Sequence, residues 1–175
     1  MEFSRKWAMP SADTFSIAPI GDFVKRYLSG VSVDPFARNK EWATFTNDIN
    51  PKTSAAYHMD AGDFLDEMKR QGVIADVVLF DPPYSPRQVA EVYAEIGITP
   101  TMQDTQTAAS KRVWREGIRA ISKPGTICLS FGWNSVGMGQ AWETLEILLV
   151  CHGGDHNDTI CLAQRLTNKQ LALDF

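Results

Sequence analysis

Long apolar runs are missing from these 175 residues, and no hydrophobic core stands near the N-terminus. The first absence argues against a membrane-spanning helix and the second against a secretory leader, so a bacterial host cytoplasm is the expected compartment. Cysteine is scarce. Cys128, Cys151 and Cys161 are odd in number and share no metal spacing, which argues against a disulfide framework and fits a reducing environment. The chain lacks the G-x-G-x-x-G fingerprint of a nicotinamide dehydrogenase. It also lacks an excess of positive charge: the net charge is −4, whereas a chain that grips duplex nucleic acid usually carries a basic surface. What remains is ordinary globular composition, 44 % hydrophobic and 22 % charged, expected to form one domain over residues 1–175.

The most informative stretch is Val77-Val78-Leu79-Phe80-Asp81-Pro82-Pro83-Tyr84. Its apolar run reads as a short, doubly buried strand of a parallel sheet. Two prolines then forbid both helix and further ladder pairing, so the chain turns at Asp81. In an open α/β sheet, ligands bind beyond the carboxyl ends of the strands. The turn therefore delivers a carboxylate, backbone carbonyls and an aromatic ring to that crevice. A plain proline turn with an Asx-type bond from Asp81 is the bland alternative.

Asp81-Pro82-Pro83-Tyr84 resembles the catalytic tetrapeptide of the S-adenosylmethionine-dependent amino methyltransferases, which methylate exocyclic amines of adenine or cytosine. The resemblance implies that Asp81 and the Pro82 carbonyl accept the amine's hydrogens, freeing a lone pair that is otherwise conjugated into the ring. It implies that Tyr84 stacks on a base rotated out of the duplex. No covalent intermediate is needed; positioning and local electrostatics carry the chemistry. The enzymes that methylate cytosine carbon use a cysteine nucleophile, and no Pro-Cys dipeptide occurs here.

Other stretches extend the resemblance from about Thr14 to Leu166. Met1 to Ala12 shows no periodicity and reads as an arm. Alternating Phe15 and Ile17, followed by Pro19, suggests an edge strand; Asp22 then suits the N-cap of a helix burying Phe23, Tyr27 and Leu28, with Gly30 as its stop. The resemblance places this element, with Ile17 and Pro19, over the methionine end of the cofactor. Gly30 to Val33 reads as the first sheet strand, followed by Asp34-Pro35-Phe36 as its ligand loop. The family continues with a glycine-containing turn and a helix, but here Ala37-Arg38-Asn39 follows, and the short interval to Asp48 leaves room for one helical turn or a loop. Ala43 to Thr46 and Ala55 to Met59 read as further strands. Asp48 resembles the acid that takes both ribose hydroxyls, since a carboxylate has the paired acceptors. Asp60, with Ala61 next to it, resembles the acceptor of the cofactor's adenine amine; it equally suits the N-cap of a helix ending near Gly72. Four acids (Asp34, Asp48, Asp60, Asp81) thus close four expected parallel strands.

Ser85 caps a helix begun by Pro86. Thr99 to Ser110 reads as a loop near substrate. From Ser110 to Ser122 the chain reads as an amphipathic helix with Lys111, Arg112, Arg115 and Arg119 opposite an apolar stripe; a solvated face is the ordinary reading of such a pattern. Gly125 to Phe131 reads as a fifth strand, and Glu143 to Val150 with Thr159 to Leu166 as a terminal hairpin. His152, Asp155, His156 and Asp158 lie between them without a recognised ligand spacing, so no metal is expected. Arg87, Lys111, Arg112, His152 and His156 are the candidate contacts to nucleic acid. The expected fold is α/β, a Rossmann-like class I S-adenosylmethionine-dependent methyltransferase sheet with a terminal antiparallel hairpin. The expected substrate is DNA adenine, as in small phage or prophage enzymes; the same chemistry on cytosine N4 or an RNA base, or a silent binding module, are the alternatives. With no room for a separate target-recognition domain, specificity is expected to be short, or to come from a homodimer or a partner protein.

Overall fold

A computed structural model describes residues 1–83, 85–97 and 107–168 of the chain. Seven strands form one sheet: β1 (Glu2–Trp7), β2 (Ser32–Asp34), β3 (Phe45–Thr46), β4 (Ala75–Phe80), β5 (Ser122–Gly132), β6 (Trp142–Cys151) and β7 (Thr159–Leu166). Their order is β1-β6-β7-β5-β4-β2-β3, parallel throughout except that β7 runs antiparallel to both β5 and β6. The sheet is the expected Rossmann-like one, and the terminal β6–β7 hairpin is present. No helix among the described residues is long and apolar enough to cross a membrane.

Helices cover both faces because alternate residues of the central strands point to opposite sides. Val78 and Phe80 of β4 face a core shared with Phe64, Leu65 and Met68 of α2 (Ala61–Arg70) and Trp114, Ile118 and Ile121 around α4 (Thr107–Ala120). Val77 and Leu79 face the other core, with Ile20, Phe23 and Val24 of α1 (Ala18–Tyr27). Gly117 lets α2 and α4 approach: a Cβ there would lie 2.9 Å from Leu65 Cβ. A further helix, α3 (Pro86–Glu95), follows the turn at Asp81 and is capped by Ser85, whose hydroxyl accepts from Gln88 N–H.

Four expectations need correction. Met1 to Ala12 is not wholly an arm, since Glu2–Trp7 pairs with β6. Phe15 and Ile17 do not form a strand: Thr14–Ser16 is a 3-10 turn running into α1, both side chains are buried, and Pro19 sits in the first helical turn, where its missing N–H costs nothing. Asp22 is inside that helix, not at its cap; the N-cap position is Ile17. Ala55 to Met59 contributes only one bridge, Tyr57 to Asn47. Between β2 and β3 there is no helix, in line with the short interval noted in the sequence. The expected loop at 99–110 lies outside the described residues as far as 106, and α4 begins at Thr107.

A buried carboxylate ties α1 to β6. Glu146 of β6 is 3 % exposed and accepts from Arg26 Nη2 at 2.7 Å and from the Tyr27 hydroxyl at 2.8 Å. Burial, then the bond to Glu146, pushes the Tyr27 hydroxyl up to about 12. Arg26→Met would leave that carboxylate buried with the tyrosine alone. The expected loss is about 1–3 kcal/mol in urea denaturation, with a smaller loss for Glu146→Gln, which buries no charge.

Candidate active site

The site is assembled at the carboxyl edge of β4, β2 and β3. β4 ends in Phe80, and the chain then passes through half-buried Asp81, buried Pro82 and half-buried Pro83. Beside it β2 ends in Asp34, which is 1 % exposed. Phe36 N–H donates to Asp34 Oδ1 at 3.0 Å, an Asx turn that swings the chain away from the strand. Burial pushes the Asp34 carboxyl up to about 8, and the neighbouring charges of Asp81 and Asp48 add to this while the Phe36 N–H opposes it. Asp34 is therefore a mostly protonated support beneath the site.

Asn47, directly after β3, is fully buried and ties the edge together. Its Nδ2 donates to Pro35 O at 3.1 Å and Met59 O at 3.0 Å, while its Oδ1 accepts from Met59 N–H at 3.1 Å. Its backbone N–H donates to Asp34 O at 2.9 Å and its carbonyl accepts from Ala37 N–H at 2.8 Å. Asp48 follows, with Oδ1 accepting from Asn50 N–H at 2.8 Å and Oδ2 from Arg38 N–H at 3.1 Å. Burial raises its carboxyl against those two bonds. Asp60 caps α2, its Oδ1 accepting from Gly62 N–H at 2.7 Å.

Arg38 answers the missing glycine turn. Its φ is 50°, the one positive value at a non-glycine position among the described residues. The left-handed turn is kept, with arginine in a conformation that glycine adopts more easily. The Arg38 guanidinium donates to Ala12 O at 3.2 Å, drawing the segment before α1 to the same rim.

These groups surround a cleft of about 700 Å³, within the ~300–1,000 Å³ usual for small-molecule sites. Asp81, Pro82 and Pro83 line it together with Pro35, Phe36, Asp48, Asp60 and Ala61. Trp114 stands edge-on to Phe36 at 5.0 Å, and both aromatic rings border the cleft. Among the described residues the lining has six carboxylates (Asp13, Asp48, Asp60, Asp81, Glu91, Glu95) against two cations, Arg38 and Lys40. Such a cleft favours a cationic ligand.

Several expected site residues lie elsewhere. Ile17 is buried in the core against α1, Pro19 is in that helix, and Asp34 is beneath the cleft; none of the three is in its lining. Tyr84 lies outside the described residues. Arg87 is exposed and bonded to Glu91 at 2.8 Å, and Arg112 is 3.4 Å from Glu116. Lys111 is half-buried, its pKa lowered by burial and then by Arg115. His156 is exposed on the hairpin loop. His152 is a correction: it is 6 % exposed, with Nδ1 2.9 Å from Ala8 O and Nε2 2.9 Å from Thr159 Oγ1, so its ring serves the packing of β1 on the hairpin and is closed to a polynucleotide. Sequence reasoning missed Asn47 and the position of Trp114 at the cleft. An amide next to a strand-end acid was the available signal for the first; Trp114 was indistinguishable from the other members of its apolar stripe.

Two expectations follow. Arg38→Gly should exceed Arg38→Val in stability by about 1–2 kcal/mol, because both lose the guanidinium but only valine keeps a Cβ in the left-handed turn; paired urea melts measure this. For Asp34, the folded pKa of about 8 lies above the ordinary 3.8, so the folded chain retains a proton that the unfolded chain releases. Its stabilising share is complete below the lower value and is lost as pH rises through the upper one. Asp34→Asn should remove up to about 1.4 kcal/mol per pH unit of slope in that window, read from denaturation at several pH values.

No family model and no curated protein matches the sequence. Solved structures do share the fold. SMU.776, a candidate methyltransferase complexed with SAH, aligns with a TM-score of 0.55 at 10 % identity, over 78 % of this chain and 45 % of its own. This chain thus spans less than half that protein's length. A SAM-dependent methyltransferase from Agrobacterium tumefaciens aligns at 15 % identity over 85 % of this chain and 61 % of its own, TM-score 0.47. The candidate methyltransferase yhhF from Escherichia coli aligns at 9 % identity over 94 % and 90 %, TM-score 0.46. The SMU.776 likeness, together with the strand order, identifies the fold as that of Rossmann-like class I methyltransferases.

Proposed function

We propose that this chain transfers a methyl group from S-adenosylmethionine to the exocyclic N6 amine of adenine in DNA. The observation that carries this reading is one cleft lined both by Asp81-Pro82-Pro83 and by Phe36, Asp48, Asp60 and Ala61. The first group is what the resemblance assigns to the amine, and the second to the cofactor. When bound, the cofactor supplies an electrophilic methyl on a cationic sulfonium, and the acidic lining suits that charge. Asp48 offers acceptors to the ribose hydroxyls, and Asp60, already a helix cap through one oxygen, offers its other to the adenine amine. Phe36 and Trp114 give the cleft its aromatic border.

Asp81 and the Pro82 carbonyl then hold the hydrogens of the target amine, turning its lone pair out of conjugation. Phosphates of the DNA meet Lys111 and Arg112 at the start of α4, and the chain belongs with the small phage or prophage type of enzyme. The net charge of −4 favours a second reading: the same transfer to an RNA base, delivered by a partner. The amine of cytosine fits the same chemistry.

Incubation with methyl-labelled S-adenosylmethionine and unmethylated DNA or RNA, followed by mass analysis of nucleosides, separates these substrates. Methylated N6-adenine in DNA is the expected product. Asp81→Ala should lower transfer by about 100-fold or more while leaving circular dichroism unchanged. Transfer at the wild-type rate by that variant overturns the role of Asp81.

A further inference from the structure

β1 is an edge strand with both faces open. Among the described residues its only strand neighbour is β6, and Phe3 and Trp7 are 63 % and 64 % exposed. Met1, Phe3, Trp7 and Met9 make up half of the eight large apolar side chains exposed among the described residues. An exposed edge carrying phenylalanine and tryptophan and no proline is a template for another strand.

The ladder determines which residues offer that edge. Ala8 N–H donates to Cys151 O at 3.1 Å, so the even-numbered residues of β1 turn their backbone groups towards β6. Phe3, Arg5 and Trp7 therefore present N–H and C=O outwards, away from the sheet. An antiparallel partner of the same sequence must oppose outward residues with outward residues, which restricts a two-fold axis to a residue rather than a gap between residues. An axis at Arg5 would oppose Arg5 to its own copy, a like-charge pair that opposes association. An axis at Phe3 would oppose Glu2 to Ser4 and leave its charge without an opposite partner. An axis at Ser4 opposes Glu2 to Lys6 twice, Phe3 to Arg5 twice, and Met1 to Trp7 twice. Opposed residues share a face of the sheet, so every charged side chain of β1 gains an oppositely charged or aromatic neighbour, and the exposed rings are covered.

We propose that a second copy of this chain pairs antiparallel with the outer edge of β1 about a two-fold axis at Ser4, joining two seven-stranded sheets into one. This goes beyond the methyl-transfer reading and does not depend on it.

Sedimentation of the full chain over a concentration series is expected to show a monomer–dimer equilibrium. Phe3→Pro removes an outward N–H and no bond to β6, and should abolish the dimer while leaving the melting transition of the monomer in place. Glu2→Lys should raise the dissociation constant roughly tenfold, and the exchange Glu2→Lys with Lys6→Glu should restore it, because the opposed charges are merely swapped. Ser4→Cys should form a disulfide-linked dimer on mild oxidation, since a non-hydrogen-bonded pair brings the two Cβ atoms to about 4.5–5.5 Å. Lys6→Cys, whose copies lie far apart in this register, should not. A monomer at every concentration overturns the proposal, as does a dimer indifferent to Phe3→Pro or one that crosslinks equally through both cysteines.

Discussion

Pro35, Phe36 and Arg38 reach the cleft from the short connection between β2 and β3, whose course depends on how its backbone is satisfied. A parallel crossover normally carries a helix that looks after its own N–H and C=O groups. Here none is present, and polar side chains take over the task. Asn47 holds Pro35 and Met59, Asp34 holds Phe36, and Ser32 and Thr44 hold each other's backbone N–H groups at 3.2 and 3.0 Å. Thr46 accepts from Ala56 N–H at 3.0 Å in the same way. The Asn47–Pro35 bond is buried, where a hydrogen bond is strong and its omission costly, and the others are part-buried. The loop that results brings Phe36 to the cleft that Asp48 and Asp60 also line.

Carboxylates gathered at one edge have electrostatic consequences. Asp34 escapes repulsion from Asp81 and Asp48 by keeping its proton, which burial already favours. Asp48 stays anchored by two backbone N–H donors. The cleft is thereby acidic at its mouth with a neutral acid beneath, which suits a small cation better than a polyanion. A polynucleotide would have to be met outside it, and Lys111 and Arg112 lie outside the cleft lining. The acidic net charge of the chain and its proposed substrate are reconciled by this separation.

Much of the site was legible because its signals are local. The apolar run before Asp81 predicts β4, whose observed bounds are Ala75–Phe80, and two prolines can end a strand in few other ways. Thr159–Leu166 was legible as a strand from its apolar content and the preceding Gly-Gly. Asp60 was read as a cofactor contact or a helix cap, and the cap is present. Where signals were ambiguous, the wrong period was read: Phe15 and Ile17 are both buried, as a strand face would be, yet the turn between them is helical. β1 escaped because its side chains are exposed on both faces, leaving no alternation to detect.

The sequence by itself determined the strand before Asp81, the sharp turn there and the absence of room for a full crossover helix, since each follows from the chemistry of neighbouring residues. Only the tertiary structure decided that Arg38 takes the left-handed turn, that Asn47 is a buried clamp, that His152 faces inward and that Trp114 borders the cleft. Those four depend on groups brought from distant parts of the chain: Arg38 meets Ala12, and His152 meets Ala8 across 144 positions. No local preference of a single residue encodes such a meeting, because burial and hydrogen-bond partners exist only once the sheet has closed.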